Sequence, residues 1–153
     1  MRIQLKKFDV TSIKPTSVVV MIGMRNTGKS ILVRDVLYHH QDLPVGTCIS
    51  GSEGSNEFYK QMCPSILIHE EYTPEIVEKF VTRQKMITKK KNKEINSYGS
   101  SKIDPRAFIV MDDCLFDRAW QNDKNIRACF LNGRHFNCFF LFTSQYAMDT
   151  RDE

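Results

Sequence analysis

The sequence lacks any apolar run near the ~20 residues that a membrane-spanning helix needs. Its first ten residues, "MRIQLKKFDV", carry charge but no apolar segment, so no secretory signal is expected. It has no C-x-x-C pair. The five cysteines, Cys48, Cys63, Cys114, Cys129 and Cys138, are odd in number, and four sit in or beside apolar stretches. That pattern argues against a disulfide framework or a zinc site. It points to buried free thiols in a reducing compartment, cytosolic or nuclear. No internal repeat is present. One stretch lacks acidic residues: "RQKMITKKKNK", Arg83 to Lys93, holds six of the 22 basic residues. A solvated helix face and a contact for nucleic acid or another partner both fit it. The net charge of +4 tolerates a polyanionic partner without requiring one.

What is there is enough for one compact domain: 153 residues, 41% hydrophobic and 26% charged. "SVVVMIG" is β-branched and ends in glycine, so it predicts a buried parallel strand. "GKSILVRDVLYHH" follows with a helical apolar face formed by Leu32, Val33, Val36 and Leu37. His39 and His40 at its end suit the helix dipole better than a metal. "GTCISGSE" predicts a second strand. "SNEFYKQM" predicts a short helix with Ser55 as N-cap, and "SILIHEE" a third strand. Thr73, Pro74 and Glu75 form a strong helix start. Ile76, Val77, Phe80, Val81 and Ile87 continue that helix, and "INSYGSSKIDP" reads as a loop. "RAFIVMDDC" is another buried strand. "LFDRAWQNDKNIRACFLNG" is helical in its second half and stops at Asn132–Gly133. "FNCFFLFTSQ" is the last strand. Alternating strands and helices predict an α/β fold, a mainly parallel sheet flanked by helices.

"GMRNTGKS", Gly23 to Ser30, matches the phosphate-loop pattern at every fixed position, with a strand before it and a helix after it. Backbone N–H groups and the positive helix end suit the charged phosphates of a nucleotide. Gly23 and Gly28 permit unusual backbone angles and close approach. Lys29 is expected to reach the β- and γ-phosphates, and Ser30 to ligate Mg²⁺. The nucleotide-binding set is Gly23, Asn26, Thr27, Gly28, Lys29, Ser30 and Ile31. In "FIVMDDC", Asp112 is expected to hold Mg²⁺ through water from the tip of a strand beside the loop strand, and Asp113 to polarise the attacking water. In "FFLFTSQ" the strand end presents Thr143, Ser144 and Gln145 on the same sheet edge. The amide of Gln145 is the candidate sensor of the γ-phosphate. In "NGRH", Arg134 sits on a turn before that strand, toward the other end of the sheet. It is badly placed for its own subunit and suits a neighbour's nucleotide, as an arginine finger in trans. A structural role for Arg134 stays open, and Arg118 and Arg127 are rivals. His135 has no obvious metal partner.

"GMRNTGKS", "FIVMDDC", "NGRHFN" and "FTSQY", in this order, resemble the genome-packaging ATPases of nucleocytoplasmic large DNA viruses, in the FtsK–HerA superfamily. "SGSEGSNEFY" is similar too. The resemblance runs from about Ser17 to Tyr146. It implies a RecA-like P-loop NTPase core and a homo-oligomeric ring. It also implies Mg²⁺-dependent ATP hydrolysis that drives double-stranded DNA into a viral capsid, in the host cytoplasm, a viral factory or the virion. Lys29 and Ser30 then match the Walker A residues, Asp112 and Asp113 the Walker B pair, Gln145 the polar sensor, and Arg134 the arginine of the "GRH" turn. Many superfamily members carry Asp-Glu where this chain has Asp112–Asp113. The family continues beyond the point where this chain stops, seven residues after Tyr146. One P-loop ATPase domain over residues 1–153, truncated at its C-terminus, is therefore expected. Arg83, Lys85, Lys89, Lys90, Lys91 and Lys93 are the expected DNA contacts. Two other readings are a small P-loop nucleoside or nucleotide kinase, and a catalytically weak nucleotide-binding assembly module.

Overall fold

The computed structural model describes residues 6–114 and 118–145. Five strands form one sheet: β1 (Val18–Ile22), β2 (Gly46–Ser50), β3 (Ile68–His69), β4 (Ala107–Asp112) and β5 (Cys138–Ser144). The order across the sheet is β1-β5-β4-β2-β3, and every pairing is parallel. The helices are α1 (Lys29–Tyr38), α2 (Glu53–Asn56), α3 (Pro74–Tyr98) and α4 (Lys124–Asn132). The protein is therefore an α/β fold with an all-parallel sheet flanked by helices, compatible with a RecA-like core.

Side chains alternate along each strand, which sorts the core into two layers. Ala107, Ile109 and Met111 of β4 join Phe140 and Phe142 of β5 against Val77, Phe80 and Val81 of α3 and Ile126 of α4. Phe108 and Val110 join Phe139 and Leu141 on the opposite face, against Val33, Val36 and Leu37 of α1. Asp112 shares the parity of Val110, and Thr143 that of Leu141. Both tips therefore belong to the α1 face.

Several sequence expectations are corrected. The strand "SVVVMIG" is not buried along its length: β1 lies at the sheet edge, and Val20 and Ile22 are 48% and 57% exposed. The layer under α3 and α4 is built mainly on β2, β4 and β5, away from them. The helix after "SGSE" begins at Glu53, so Ser55 lies inside it rather than capping it. Thr73 stands at the N-cap of α3, but its side chain makes no capping bond. Residues expected in the loop "INSYG" instead complete α3, which runs 25 residues to Tyr98 and stops at Gly99 in the left-handed region. Gly133 does not terminate α4 that way. Its φ is −51°, and the chain continues as a 3₁₀ turn, Gly133–Phe136, until Asn137 at φ 55° reverses it. All five cysteines are free and buried, as expected. His40 is a buried tether: its ring nitrogens contact the carbonyls of Val36 and Ile13, both at 2.8 Å. No helix among the described residues is long and apolar enough to cross a membrane.

Candidate functional site

Parallel pairing puts the C-terminal ends of β1, β4 and β5 on one sheet edge. The phosphate loop leaves β1 there and opens α1. Gly28 has φ 87°, and Asn26 φ 59°, both in the left-handed region. A Cβ on Gly23 would approach the Thr27 hydroxyl to 2.8 Å, a distance real Cβ atoms do not tolerate. That hydroxyl donates to the Met24 carbonyl at 2.8 Å and closes the loop on itself. The first N–H groups of α1 have no intrahelical acceptor and point along the axis, the general arrangement that attracts anions. Lys29 Nζ donates to the carbonyls of Gly23 (2.7 Å) and Met24 (2.9 Å), so its ammonium folds back over the loop. Ile31, in the first turn of α1, is 60% exposed.

Asp112 is not on a strand beside the loop strand. β5 lies between β1 and β4, so the expected adjacency is corrected. The inserted strand brings its own tip between loop and carboxylate. Asp112 is buried, and hydroxyls surround it. Ser30 donates to Oδ2 at 2.8 Å, Tyr59 donates to the same oxygen at 2.7 Å, and Thr143 donates to Oδ1 at 2.5 Å. Ionised, the carboxylate only accepts, so each hydroxyl spends its single proton on it. For Ser30 this leaves the oxygen lone pairs available to a cation. Hard oxygen donors of this kind suit Mg²⁺, which takes few protein ligands and keeps water and phosphate oxygens around it. Among the described residues no group of three or more His, Cys, Asp or Glu forms a metal cage. One serine hydroxyl backed by one carboxylate fits Mg²⁺ better than a metal that needs a full protein ligand set.

Asp113 follows in the left-handed region at φ 53° and turns outward from the buried strand. Its N–H donates to Thr143 Oγ1 at 3.3 Å, and its Oδ1 accepts from Gln145 Nε2 at 2.6 Å. The structure thus joins Asp113 to the expected sensor. Burial, then the Asp112 charge, pushes the Tyr59 phenol far above its usual range. Burial first and the Asp112 charge second raise the Cys114 thiol to about 12.

Arg134 stands in the turn that enters β5, at the opposite sheet edge, as expected from its place before the strand. It is exposed, with Nε 3.5 Å from His135 Nε2. Arg127 is exposed on α4, and the Arg118 side chain lies outside the described residues. The basic segment is also at this far edge. Gln84 is fully buried, and its amide donates to the carbonyls of Pro105, Phe136 and, at 3.4 Å, Asn137. Asn137 in turn donates to Thr88 Oγ1 at 3.1 Å. From Lys89 to Tyr98, α3 continues for roughly 15 Å beyond these tethers. Lys85, Lys89, Lys90 and Lys93 are exposed, and Arg83 and Lys91 half-buried. A cleft of about 430 Å³ between α3 and the Arg134 turn is lined by Lys85, Thr88, Lys89, Asn92, Asn132 and His135.

Sequence reasoning missed Tyr59 and Glu53 and underused Thr143. Strand parity with Asp112 is the signal for Thr143. Tyr59 had none, because its partner lies 53 residues away.

No family model matches the chain. It is similar to uncharacterized protein L437 of Acanthamoeba polyphaga mimivirus, 36% identical over 145 residues, covering 94% of this chain and 50% of that protein. It is also 36% identical over 155 residues to uncharacterized protein 075L of Invertebrate iridescent virus 6, covering 95% of this chain and 56% of that protein. With uncharacterized protein 015R of Frog virus 3 it shares 36% over 131 residues, covering 85% of this chain and 38% of that protein. The chain spans about half the length of the curated relatives it matches.

Proposed function

We propose that this chain is the ATP-hydrolysing part of a motor that moves double-stranded DNA, serving genome packaging into a viral capsid. The observation that carries the reading is the convergence at one sheet edge: a phosphate loop, Ser30 bonded to buried Asp112, and Asp113 bonded to Gln145. The loop amides and Lys29 bind and orient the triphosphate. Ser30 offers its lone pairs to Mg²⁺ while Asp112 fixes its proton. The metal, when bound, neutralises phosphate charge. Asp113, exposed to solvent, accepts a proton from the attacking water, and Gln145 ties its position to the state of the phosphate.

Support for a ring comes from the separation between the two edges. Arg134 is a whole strand length from the loop of its own subunit, so its contribution to hydrolysis would be made to a neighbour's nucleotide. The lysines of α3 share that far edge and form a cationic surface for backbone phosphates, which carries no sequence information. The similar proteins of mimivirus and an iridescent virus support a viral setting; the host cytoplasm or a viral factory is the location that goes with this proposal.

The test is ATP turnover measured against protein concentration and added duplex DNA. Turnover per subunit rising with both is expected. Phosphate transfer to a nucleoside in place of hydrolysis would replace this reading with a kinase.

A further inference from the structure

We infer that Tyr59 is a positioning residue for the metal side of this site, held in place by Glu53; the inference rests on the ATPase reading above. Tyr59 opens a 3₁₀ turn, Tyr59–Gln61, and is fully buried among the apolar residues under α1. A phenylalanine would fill that apolar space as well. The hydroxyl is the part that packing does not require, and it ends on Asp112 Oδ2 at 2.7 Å, beside the Ser30 hydroxyl at 2.8 Å on the same oxygen.

The three hydroxyls divide the work. Thr143 holds Oδ1 from β5, the strand next to β4. Ser30 holds Oδ2 from the phosphate loop. Tyr59 holds Oδ2 from the segment after β2, on the other flank of β4. Restrained from both flanks, the carboxylate does not turn about its Cβ–Cγ bond. Its Oδ2 therefore stays aimed at Ser30, and the Ser30 lone pairs stay aimed outward. With Tyr59 removed, the remaining hydroxyls on Asp112 among the described residues, those of Ser30 and Thr143, come from the β5 and loop side.

Glu53 fixes Tyr59 through the backbone. It is 2% exposed, a rare state for a carboxylate. Its oxygens accept the Tyr59 N–H at 2.9 and 3.1 Å and the Lys60 N–H at 3.2 Å. Glu53 thereby satisfies the donors at the start of the 3₁₀ turn. The connected path is Glu53, Tyr59, Asp112, Ser30, and it starts from two residues outside the phosphate loop.

The test uses Tyr59→Phe and a fluorescent ADP analogue. Affinity is measured first in EDTA, then across a Mg²⁺ titration. The variant is expected to bind the analogue as wild type does in EDTA and to need roughly tenfold more Mg²⁺ for half-saturation, the usual scale for a lost outer partner of a metal ligand. A purely structural role would lower thermal stability and both affinities together. Mg²⁺ half-saturation within about twofold of wild type overturns the inference. Should Tyr59→Phe not fold, Glu53→Gln is expected to raise the same Mg²⁺ midpoint, and an unchanged midpoint overturns it equally. Wild-type chain that binds no analogue at all, with or without Mg²⁺, sinks the ATPase reading and this inference with it. Wild-type binding with a normal Tyr59→Phe midpoint sinks the inference alone.

Discussion

The two edges of the sheet are built on opposite principles. At the edge that carries the phosphate loop, polar side chains bond to each other in the interior: Ser30, Tyr59 and Thr143 all end on Asp112. At the far edge the interior is tied by one neutral amide, Gln84, bonded to main-chain carbonyls, while the cations face outward. The first edge is arranged to hold a small charged ligand in one geometry. The second keeps a rigid platform under exposed charge, which suits a large, variable anionic partner. The contrast divides one parallel sheet in two: strand C-termini collect a buried carboxylate and its hydroxyls, and helix ends and turns at the N-termini carry the exposed cations.

Removing a group from one edge should leave the other edge's property intact. The largest effect is expected at the loop. Lys29→Ala should abolish measurable ATP turnover, because the cation that binds and orients the triphosphate is lost; its DNA affinity, read by fluorescence anisotropy, should stay near wild type. Full retained turnover would remove the loop from the mechanism. Arg134→Ala should lower turnover by up to roughly 10³-fold while sparing nucleotide affinity, the signature of a group that acts on charge developed in the transition state. Equal losses in affinity and turnover would instead make Arg134 a structural residue.

A stability effect comes next. Gln84→Ala leaves buried carbonyls without a donor and opens space in the core, costing about 2–4 kcal/mol. A melting temperature lower by roughly 10 °C is expected, against little change for Lys89→Ala. The smallest effect concerns the cationic surface. Lys85→Ala with Lys89→Ala should weaken duplex DNA binding and reduce the slope of log affinity against log salt by ~0.9 per lysine. An unchanged slope would move the DNA contact off this surface.

Much of the fold was legible because its signals are local. Short apolar runs, β-branched in β1 and phenylalanine-rich in β5, signalled β1, β4 and β5, and Pro74 behind Thr73 signalled the start of α3. The order of strands was not legible, since hydrophobic runs carry no record of their neighbours. That is why Asp112 was expected next to the loop strand and β5 was not expected between them. The far end of α3 was misread for a related reason. Asn96 and Ser97 are weak helix formers, yet the helix continues through them to the glycine that ends it. At the site, the loop and Asp112–Asp113 were readable as motifs. The Tyr59 and Glu53 contribution was not, because it depends on a long-range bond from a short polar turn. Gln145 was readable as a polar strand end, but its bond to Asp113 emerges only once β5 lies beside β4.

The central claim is that the site has two halves on opposite edges, completed by neighbouring subunits. Mixing tests it most directly: Lys29→Ala and Arg134→Ala chains are assayed for DNA-stimulated ATP turnover separately and then together. Each alone should be nearly inactive, and the mixture should recover part of the wild-type rate, since an intact loop then meets an intact arginine. No recovery in a mixture that does co-assemble, together with weakened ATP affinity in Arg134→Ala, would contradict a shared site.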